Sequence, residues 1–212
     1  MKIKVLLIVT ISLGMFLQFA NGQEKVMDLP QPDKKGGMPL MEALNKRHSE
    51  RNFSSKSLSK QTLSNLIWAA FGINRTESGK RTAPSAKNQQ EIDIYVTLQK
   101  GLYKYLPEEH SLKLVKSEDI RKYTGEQGFV DEAPLNLVYV ADYSDMEGDQ
   151  SSKLQYSWAD TGFIGQNVYL YCASKGLNCV IRGWINKGKL RKEMELKEDQ
   201  KVILSQTVGY PK

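Results

Sequence analysis

A run of alternating residues followed by two short extended runs limits what this chain can fold into. Between residues 92 and 98, apolar side chains occupy every second position, which is the period of a half-buried strand. Lys100-Gly101 turns the chain after this strand, and residues 107–110 separate the extended runs 102–106 and 111–115. Short turns of this kind join antiparallel strands, whereas parallel strands need long crossovers. The region therefore predicts a small antiparallel meander.

Helical patterns lie on both sides of this meander. Pro39 opens an amphipathic segment, and Ser59 precedes a second helical pattern that Gly72 would end. The longest pattern spans residues 157–174, where Tyr169 falls at core spacing and is assigned to packing. Isolated glycines each cost a helix about 1 kcal/mol relative to alanine, so glycines here predict a groove for a close-packed helix from this chain or a twin. The small residues of this groove are Ala159, Gly162 and Gly165.

Extended and helical segments continue to alternate towards the end of the chain. We predict a buried strand at 135–141, an extended run at 178–185, a basic helix at 186–194 and a last strand at 202–208. Helices and strands interleaved around an antiparallel meander favour an α+β fold with a central, mainly antiparallel sheet flanked by helices. They argue against a doubly wound parallel sheet.

The first 22 residues have the pattern of a secretory signal peptide. Two lysines precede an apolar stretch at 5–16 that is short for a membrane span. Ala20 and Gly22 fit the last small positions before a cleavage site, so the mature chain is expected to start at Gln23. We expect an exported, periplasmic protein with no stable membrane anchor after cleavage. An uncleaved anchoring helix is the alternative.

Residues 23–37 are rich in Pro, Gly, Asp and Lys and show no periodicity, which predicts a flexible leader. No repeat or second linker follows. Residues 38–212 are therefore expected to form one domain that is large enough to bury a sizeable core.

Composition restricts the kinds of site that the chain can build. It has 30 Lys and Arg against 24 Asp and Glu, and removing the two lysines of the signal peptide leaves 28 − 24, a net charge of +4. This charge suits an anionic ligand, and no nucleic-acid partner is expected. Two histidines and two cysteines are too few for the usual zinc sites, so no metal is expected. Cys172 and Cys179 are more simply small buried residues than a disulfide, although export leaves their pairing open.

A polar cluster at the end of the first helix is one candidate site. It consists of Arg47, His48, Ser49 and Arg51. Two arginines four residues apart can converge on one anion, and Ser49 adds a short hydroxyl. Hydrolysis by a Ser-His-Asp set is not supported, because His48 lies among arginines and no serine has the sequence context of a nucleophile. His110 is expected to be a solvated turn residue.

A second candidate segment begins some thirty residues later. Pro84 and Ser85 open a predicted helix whose free backbone amides would point at a ligand, and Asn88 offers an amide to the edge of a heterocycle. Taken alone, each cluster is better explained as a solvated basic helix end or a capped turn. Together, and in this order, the two clusters predict a site for an anion with hydrogen-bonding groups.

In this order and spacing, these elements resemble the nitroreductase family of FMN-dependent oxidoreductases. The resemblance covers nearly the whole mature chain, from about Met38 to the end. The meander at 101–105 and 111–114 further resembles the azoline-dehydrogenase-like branch. Beyond the two clusters, the matching residues are Phe53, Gly162, Asn167, Gly176-Leu177, Gly183 and the terminal Gly209-Tyr210-Pro211.

The resemblance implies a nitroreductase-like fold and a homodimer that binds FMN at the subunit interface. It also implies ping-pong hydride transfer through the flavin to a small-molecule substrate. In that arrangement Arg47 and Arg51 face the phosphate or the pyrimidine edge of the flavin. His48 and Ser49 complete the cradle.

The resemblance assigns the remaining cofactor-binding residues as well. Pro84, Ser85 and Asn88 border the isoalloxazine ring, while Arg182 and Gly183 bring backbone near the flavin N5. Arg182 replaces an acidic residue that is often found there, which leaves its side chain a different role or none. No catalytic residue follows from the resemblance.

Two points depart from the family pattern. Members commonly continue past the last strand with a further basic residue for the phosphate, so either Lys212 takes that place or the phosphate site is weaker. Export separates the protein from cytoplasmic nicotinamide cofactors, which leaves the electron donor unknown, with a lipid quinone or a partner protein as candidates. The leading hypothesis is an exported FMN-dependent oxidoreductase. The alternatives are a non-catalytic module that binds flavin or another planar anion, and a structural exported domain with a basic surface.

Overall fold

The computed structural model describes residues 25–212, so the predicted signal peptide lies outside the described residues. The strands are β1 (Val26–Asp28), β2 (Ile73–Arg75), β3 (Lys80–Arg81), β4 (Ile92–Leu98), β5 (Gly101–Leu106), β6 (Ser111–Lys116), β7 (Leu135–Asp142), β8 (Asn178–Arg182) and β9 (Gln200–Gly209). The helices are α1 (Leu40–Lys46), α2 (Lys60–Phe71), α3 (Gln150–Lys175) and α4 (Lys187–Glu193). One-turn helices lie at Thr76–Ser78, Ala86–Asn88, Arg121–Tyr123 and Tyr143–Asp145. Within residues 25–212, no helix is long and apolar enough to cross a bilayer.

Seven strands form one sheet in the order β1-β6-β5-β4-β7-β9-β8, and β2 and β3 form a separate hairpin. Every pair of neighbours in the large sheet is antiparallel. The strand predicted at 92–98 has the same limits as β4, and the two shorter runs fall in β5 and β6. The predicted α+β fold with a mainly antiparallel sheet is confirmed.

Both faces of the sheet are covered by helices. On one face, α2 and α3 pack against Ile94 and Val96 of β4, and on the other face Leu190 of α4 packs with Tyr95. The alternation in β4 predicts one buried face, whereas Tyr95 is 5% exposed and Thr97 is fully buried. The pattern is misleading because tyrosine and threonine count as polar in the sequence, whereas here both side chains are buried on the face of the sheet that α4 covers.

Part of the predicted flexible leader, residues 26–33, contacts the rest of the domain, whereas residues 34–37 are exposed. Val26–Asp28 pair with β6 as an edge strand, and Leu29 is buried. The Asp33 N–H donates to Asn65 Oδ1 of α2 at 2.8 Å. Order in this segment comes from hydrogen bonds to residues that are distant in the chain, and its composition does not reveal them.

Local capping fixes the ends of α2 and α3. Ser59 Oγ accepts from the Thr62 N–H at 3.0 Å and Gly72 ends α2, which confirms both predictions. α3 begins earlier than the predicted residue 157, because the Asp149 side chain caps its first turn. Gly176, with a left-handed φ of 64°, ends it.

The small residues of α3 serve two different sides of the helix. Gly165 faces the sheet, and a Cβ at this position would lie 2.6 Å from Ile181 Cδ1 of β8. Ala159 and Gly162 are exposed, and a Cβ at Gly162 would meet nothing within 4 Å. The predicted groove for another helix therefore includes Ala159 and Gly162 but not Gly165, which is needed for contact with the sheet.

The two cysteines lie in the core between α3 and β8. Cys172 and Cys179 are free and buried, as predicted for small core residues. Gln206 Nε2 donates to Cys179 Sγ at 3.0 Å. Burial raises the pKa of the Cys172 thiol, so the group stays protonated.

The sequence predicts a solvated turn histidine at position 110, and the structure contradicts this. His110 has a left-handed φ of 48° and is only 9% exposed. Its Nδ1 lies 2.9 Å from the Tyr105 hydroxyl, and its Nε2 lies 2.7 Å from Ser64 Oγ, which donates to the Pro30 carbonyl. These contacts fit a neutral ring that accepts from Tyr105 and donates to Ser64. Burial lowers the pKa of His110.

We expect His110 to contribute a fall in the free energy of unfolding as the pH drops below about 6.5, the pKa of a histidine in the unfolded chain, alongside the opposite contribution of Glu91, whose folded pKa is raised. Only the folded state favours the neutral ring, so the unfolded chain binds more protons in this range. This contribution is complete above the unfolded pKa and is lost as the pH falls through the lowered folded pKa of His110. Urea unfolding at each pH isolates this contribution, because the slope should differ from wild type in His110→Gln but not in His48→Gln, whose ring is exposed. An unchanged slope in His110→Gln would assign the effect to other groups.

Candidate functional site

The segment that follows α1 carries the first predicted cluster. α1 ends at Lys46, and Arg47 has extended backbone with ψ of 119°. Arg47 and Arg51 therefore lie on an extended segment and not on a helix. The Glu50 N–H donates to the Cys179 carbonyl at 3.0 Å, which places this segment beside β8.

Tyr169 of α3 joins the cluster to β8. Its hydroxyl lies 2.8 Å from Ser49 Oγ and accepts from the Ile181 N–H at 3.0 Å, while the Arg47 guanidinium lies 5.3 Å from its ring centre. Because this oxygen accepts from Ile181, its proton can be donated to Ser49, which leaves the Ser49 proton free for an anion. The sequence predicts only packing for Tyr169, since helical spacing shows which face is buried but not what the hydroxyl reaches.

Charged groups around Ser49 are open to solvent. His48, Ser49 and Arg51 are exposed, and Arg47 is half-buried. Glu50 accepts from the two following backbone N–H groups at 2.6 and 3.1 Å. These hydrogen bonds, followed by the positive charges of His48 and Arg51, lower the pKa of Glu50. Its carboxylate is thus held within its own turn.

The Arg182 side chain points into the core, away from this cluster. Its guanidinium donates to the Thr124 carbonyl at 2.9 Å, to Asn136 Oδ1 at 2.9 Å and to Thr207 Oγ1 at 2.7 Å. Burial lowers the pKa of Arg182 to about 10, so the group remains charged at neutral pH. A ligand can therefore contact only the backbone of Arg182, next to the exposed Gly183.

The end of the chain reaches the same region. Pro211 forms an antiparallel bridge with Phe53, which lies two residues after Arg51. Lys212 follows directly and is exposed. Its position is thus at the Arg51 end of the cluster, where the resemblance expects a basic group.

The second predicted segment, residues 84–88, forms an irregular turn instead of a regular helix. Only Ala86–Asn88 are helical, in a single turn. The left-handed residues are Lys87, Asn88 and Gln90, with φ of 54°, 57° and 54°. Such conformations cost a non-glycine residue about 1 kcal/mol or more and persist where the surroundings hold them. Here Ser85 Oγ accepts from the Gln90 N–H at 3.0 Å, and Arg81 Nε donates to Gln90 Oε1 at 2.7 Å.

A buried pair of carboxyl groups lies beside this turn. Glu91 is 1% exposed and Asp160 of α3 is 3% exposed. Asp160 Oδ2 accepts from the Ala86 N–H at 2.8 Å, and the Glu91 carboxyl lies beside the Asp160 carboxyl. Burial, reinforced by the charges of Asp160 and Asp145, raises the pKa of Glu91 to about 7. Sequence analysis missed this pair because no motif joins two carboxyl groups so far apart in the chain.

The two predicted clusters contact α3 at different places. The first contacts Tyr169 and the second contacts Asp160, so they are separated by about 13 Å along the helix axis and about half a turn around it. Pro84 and Asn88 are exposed, and Ser85 is half-buried. The structure therefore joins the first cluster to β8 and the chain end, but it does not join the second cluster to the first within one protomer.

Comparisons with known proteins agree with the fold. The sequence profile described as the nitroreductase family matches residues 44–210. The crystal structure of a "putative nitroreductase" from Ralstonia eutropha JMP134 is 46% identical, covers 89% of this chain and 90% of that chain, and has a TM-score of 0.85. A "putative nitroreductase" from Methanocaldococcus jannaschii is 31% identical over an alignment of 185 residues, which covers 81% of this chain and 91% of that protein. A "putative NADH oxidase" from Clostridium acetobutylicum is 25% identical, covers 80% of this chain and 87% of that chain, and has a TM-score of 0.59.

An α+β fold with an antiparallel sheet and a cationic cluster beside its longest helix sets the class of protein, and the similarities above identify the family. The chain belongs to the nitroreductase family. Membership supports an oxidoreductase activity, and the family typically binds flavin.

We expect Tyr169→Phe to destabilise the fold by about 1–3 kcal/mol, because it leaves the partly buried Ile181 N–H without an acceptor. Tyr156→Phe on the exposed side of the same helix is the matched control and should have little effect. Urea unfolding of the three proteins measures the difference. Equal stability of Tyr169→Phe and wild type would show that the hydroxyl does not hold β8.

Proposed function

We propose that the protein is an exported, periplasmic oxidoreductase that binds FMN and transfers hydride through it to or from a small-molecule substrate. The observation that carries the proposal is the arrangement of Arg47, Ser49 and Tyr169 against β8. This arrangement places the positive charge of Arg47 and the hydroxyl proton of Ser49 beside β8, whose end leads into the exposed Gly183. Membership of the nitroreductase family supports the redox chemistry, and the signal-peptide pattern supports export.

The first cluster suits the phosphate and the pyrimidine edge of FMN. A phosphate monoester carries close to two negative charges at neutral pH, and guanidinium and hydroxyl groups bind it through charge-assisted hydrogen bonds. Arg47 and Arg51 supply the charge, with Ser49 and His48 beside them. Because the segment is extended, its donors are spread along a line, which fits a long ligand better than a small anion. Lys212 adds a further positive charge at the Arg51 end.

In this proposal a second protomer supplies the other border of the flavin. Pro84, Ser85 and Asn88 lie on a separate surface of each protomer, so one protomer alone offers half of a site. The exposed side of α3 carries Trp158 and Phe163, which are 42% and 49% exposed. In this proposal these side chains form part of an interaction surface. A homodimer formed through it would bring together the first cluster of one protomer and the second segment of its partner.

Bound FMN supplies the group that accepts and donates hydride, and the residues of the chain bind and orient it. Arg47 or Arg51 at the pyrimidine edge places positive charge where negative charge grows on reduction, which favours the reduced state. The backbone at Arg182 and Gly183 would lie at the reacting side of the bound ring. The buried Arg182 guanidinium keeps this backbone in place through its bonds to β7 and β9.

An exported enzyme is separated from the nicotinamide cofactors of the cytoplasm. We therefore propose an electron donor of another kind, a lipid quinone or a partner protein. The azoline-dehydrogenase-like branch is the finer assignment that we favour, and the meander formed by β5 and β6 supports it. No side chain is assigned the proton transfer to product.

Mature protein that starts at residue 23 and is incubated with FMN should retain flavin absorbance through gel filtration. Arg47→Ala and Arg51→Ala should each weaken FMN binding by about tenfold to a hundredfold, because each removes a charge-assisted hydrogen bond. Lys192→Ala on the solvated face of α4 is the control for loss of charge and should bind FMN as wild type does.

A wild-type protein that stays colourless at every FMN concentration would overturn the assignment of the cofactor. Bound flavin that passes no electrons to quinones or nitroaromatics after chemical reduction would instead support the non-catalytic binding module.

We expect Gly162→Arg to dissociate the dimer without unfolding the protomer. A side chain at Gly162 meets nothing within 4 Å in the protomer but would lie in the proposed interface. Gly128→Arg is the control, since it also adds an arginine at an exposed glycine with nothing within 4 Å of its Cβ position. Sedimentation should give a dimer for wild type and Gly128→Arg and a monomer for Gly162→Arg. A monomeric wild type would contradict the composite site.

A further inference from the structure

Glu91 is buried without the hydrogen-bond donors that an ionised carboxylate needs. Its side chain is 1% exposed, and neither oxygen has a hydrogen-bond donor within the described residues when the group is ionised. The polar side chain in contact with it is Asp160, which is itself a carboxyl group and 3% exposed. Two ionised carboxylates offer only acceptors and cannot hydrogen-bond each other.

The charged groups that act on Glu91 strengthen this conclusion. They are Asp160 from α3 and Asp145 from the turn after β7, and both are negative. Lys87, the cation on the neighbouring turn, pairs at the surface with Glu147 at 3.7 Å. A proton on Glu91 removes one charge and turns its contact with Asp160 into an O–H···O hydrogen bond.

Both carboxyl groups are linked to the left-handed turn at residues 85–90. Asp160 Oδ2 accepts from the Ala86 N–H at 2.8 Å near the start of the turn. Glu91 follows Gln90 directly, at the end of the turn. Lys87, Asn88 and Gln90 have left-handed backbone, which persists only where neighbouring groups hold it. A change in the protonation of the pair therefore affects the backbone at both ends of the turn.

We propose that Glu91 and Asp160 share one proton and act as positioning residues for the turn at 85–90. While the pair holds its proton, Asp160 accepts from Glu91 and from Ala86 together, and the turn keeps its shape. Loss of the proton leaves two adjacent negative charges, which move apart and release the Ala86 N–H. The consequence for FMN rests on the proposed function, whereas the consequence for the Ala86 N–H is a property of the protomer itself.

Hydrogen exchange of the Ala86 amide, followed by NMR in the mature protein without flavin, tests the shared proton. The observed exchange rate of the wild-type amide is first compared with its intrinsic rate at each pH. The resulting protection factor should fall by about tenfold between about pH 6 and about pH 8.5, a change that corresponds to one pKa unit. In Glu91→Gln the amide group donates to Asp160 at every pH, so protection should stay constant. Constant protection in wild type, or an equal fall in Glu91→Gln, would overturn the proposal.

Two further variants keep the test decisive. Asp160→Asn retains an acceptor for Ala86 and a donor for Glu91, so its protection should also be independent of pH, which gives a second measurement if Glu91→Gln does not fold. Glu147→Gln removes an exposed carboxylate from the same region, and its protection should fall as in wild type. A flat profile in Glu147→Gln would assign the titration to the surface ion pair and refute the shared proton.

FMN binding provides the second readout. All other groups, including the phosphate of FMN, are the same in both proteins, so the ratio of their dissociation constants isolates the pair. We expect this ratio, wild type over Glu91→Gln, to rise by about threefold or more between about pH 6 and about pH 8.5. A constant ratio together with pH-dependent Ala86 protection would show that the turn does not border FMN. Absence of FMN binding would refute the proposed cofactor and leave the exchange result standing.

Discussion

The backbone of α3 comes unusually close to the sheet at Gly165, and the positions of both candidate clusters depend on this contact. Ile181 Cδ1 lies 2.6 Å from where a Cβ of Gly165 would be, so any other residue here would force the Ile181 side chain to shift. The Gly165 carbonyl also accepts from Gln206 Nε2 of β9 at 3.1 Å. With the helix held here, Tyr169 reaches the backbone of β8 one turn further on, and Asp160 reaches the other side of the helix.

Burial decides what each arginine of this protein does. The Arg182 fork is surrounded by three acceptors, which offsets the cost of removing a charge from water, and it serves to hold β7, β8 and β9 together. Arg47 and Arg51 lie on an extended segment that is open to solvent, so they can bind a ligand. The acidic residues differ in role for the same reason, according to whether they are buried or exposed. Glu50 is held by its own turn at the surface, while the buried Glu91 depends on its neighbour.

Much of the fold was predictable because its signals are local. The alternation at 92–98, the Ser59 cap and the Gly72 stop each depend on residues within one turn or one strand, and all three are confirmed. Predictions failed where a partner is distant in the chain. The leader becomes strand β1 because β6 lies beside it, and His110 is buried because Ser64 of α2 reaches it.

The sequence by itself determined the order of the elements and the residues of both clusters, since helix caps, strand periods and charged residues are properties of neighbouring positions. Tertiary structure decided how those residues are used. It converted the Arg47 cluster from a helix end to an extended segment beside β8, and it gave Tyr169 a hydrogen-bonding role. It also brought Glu91 to Asp160 and separated the two clusters along α3. The physical reason is that burial and hydrogen-bond geometry depend on residues far apart in the chain, whose packing a local pattern does not specify.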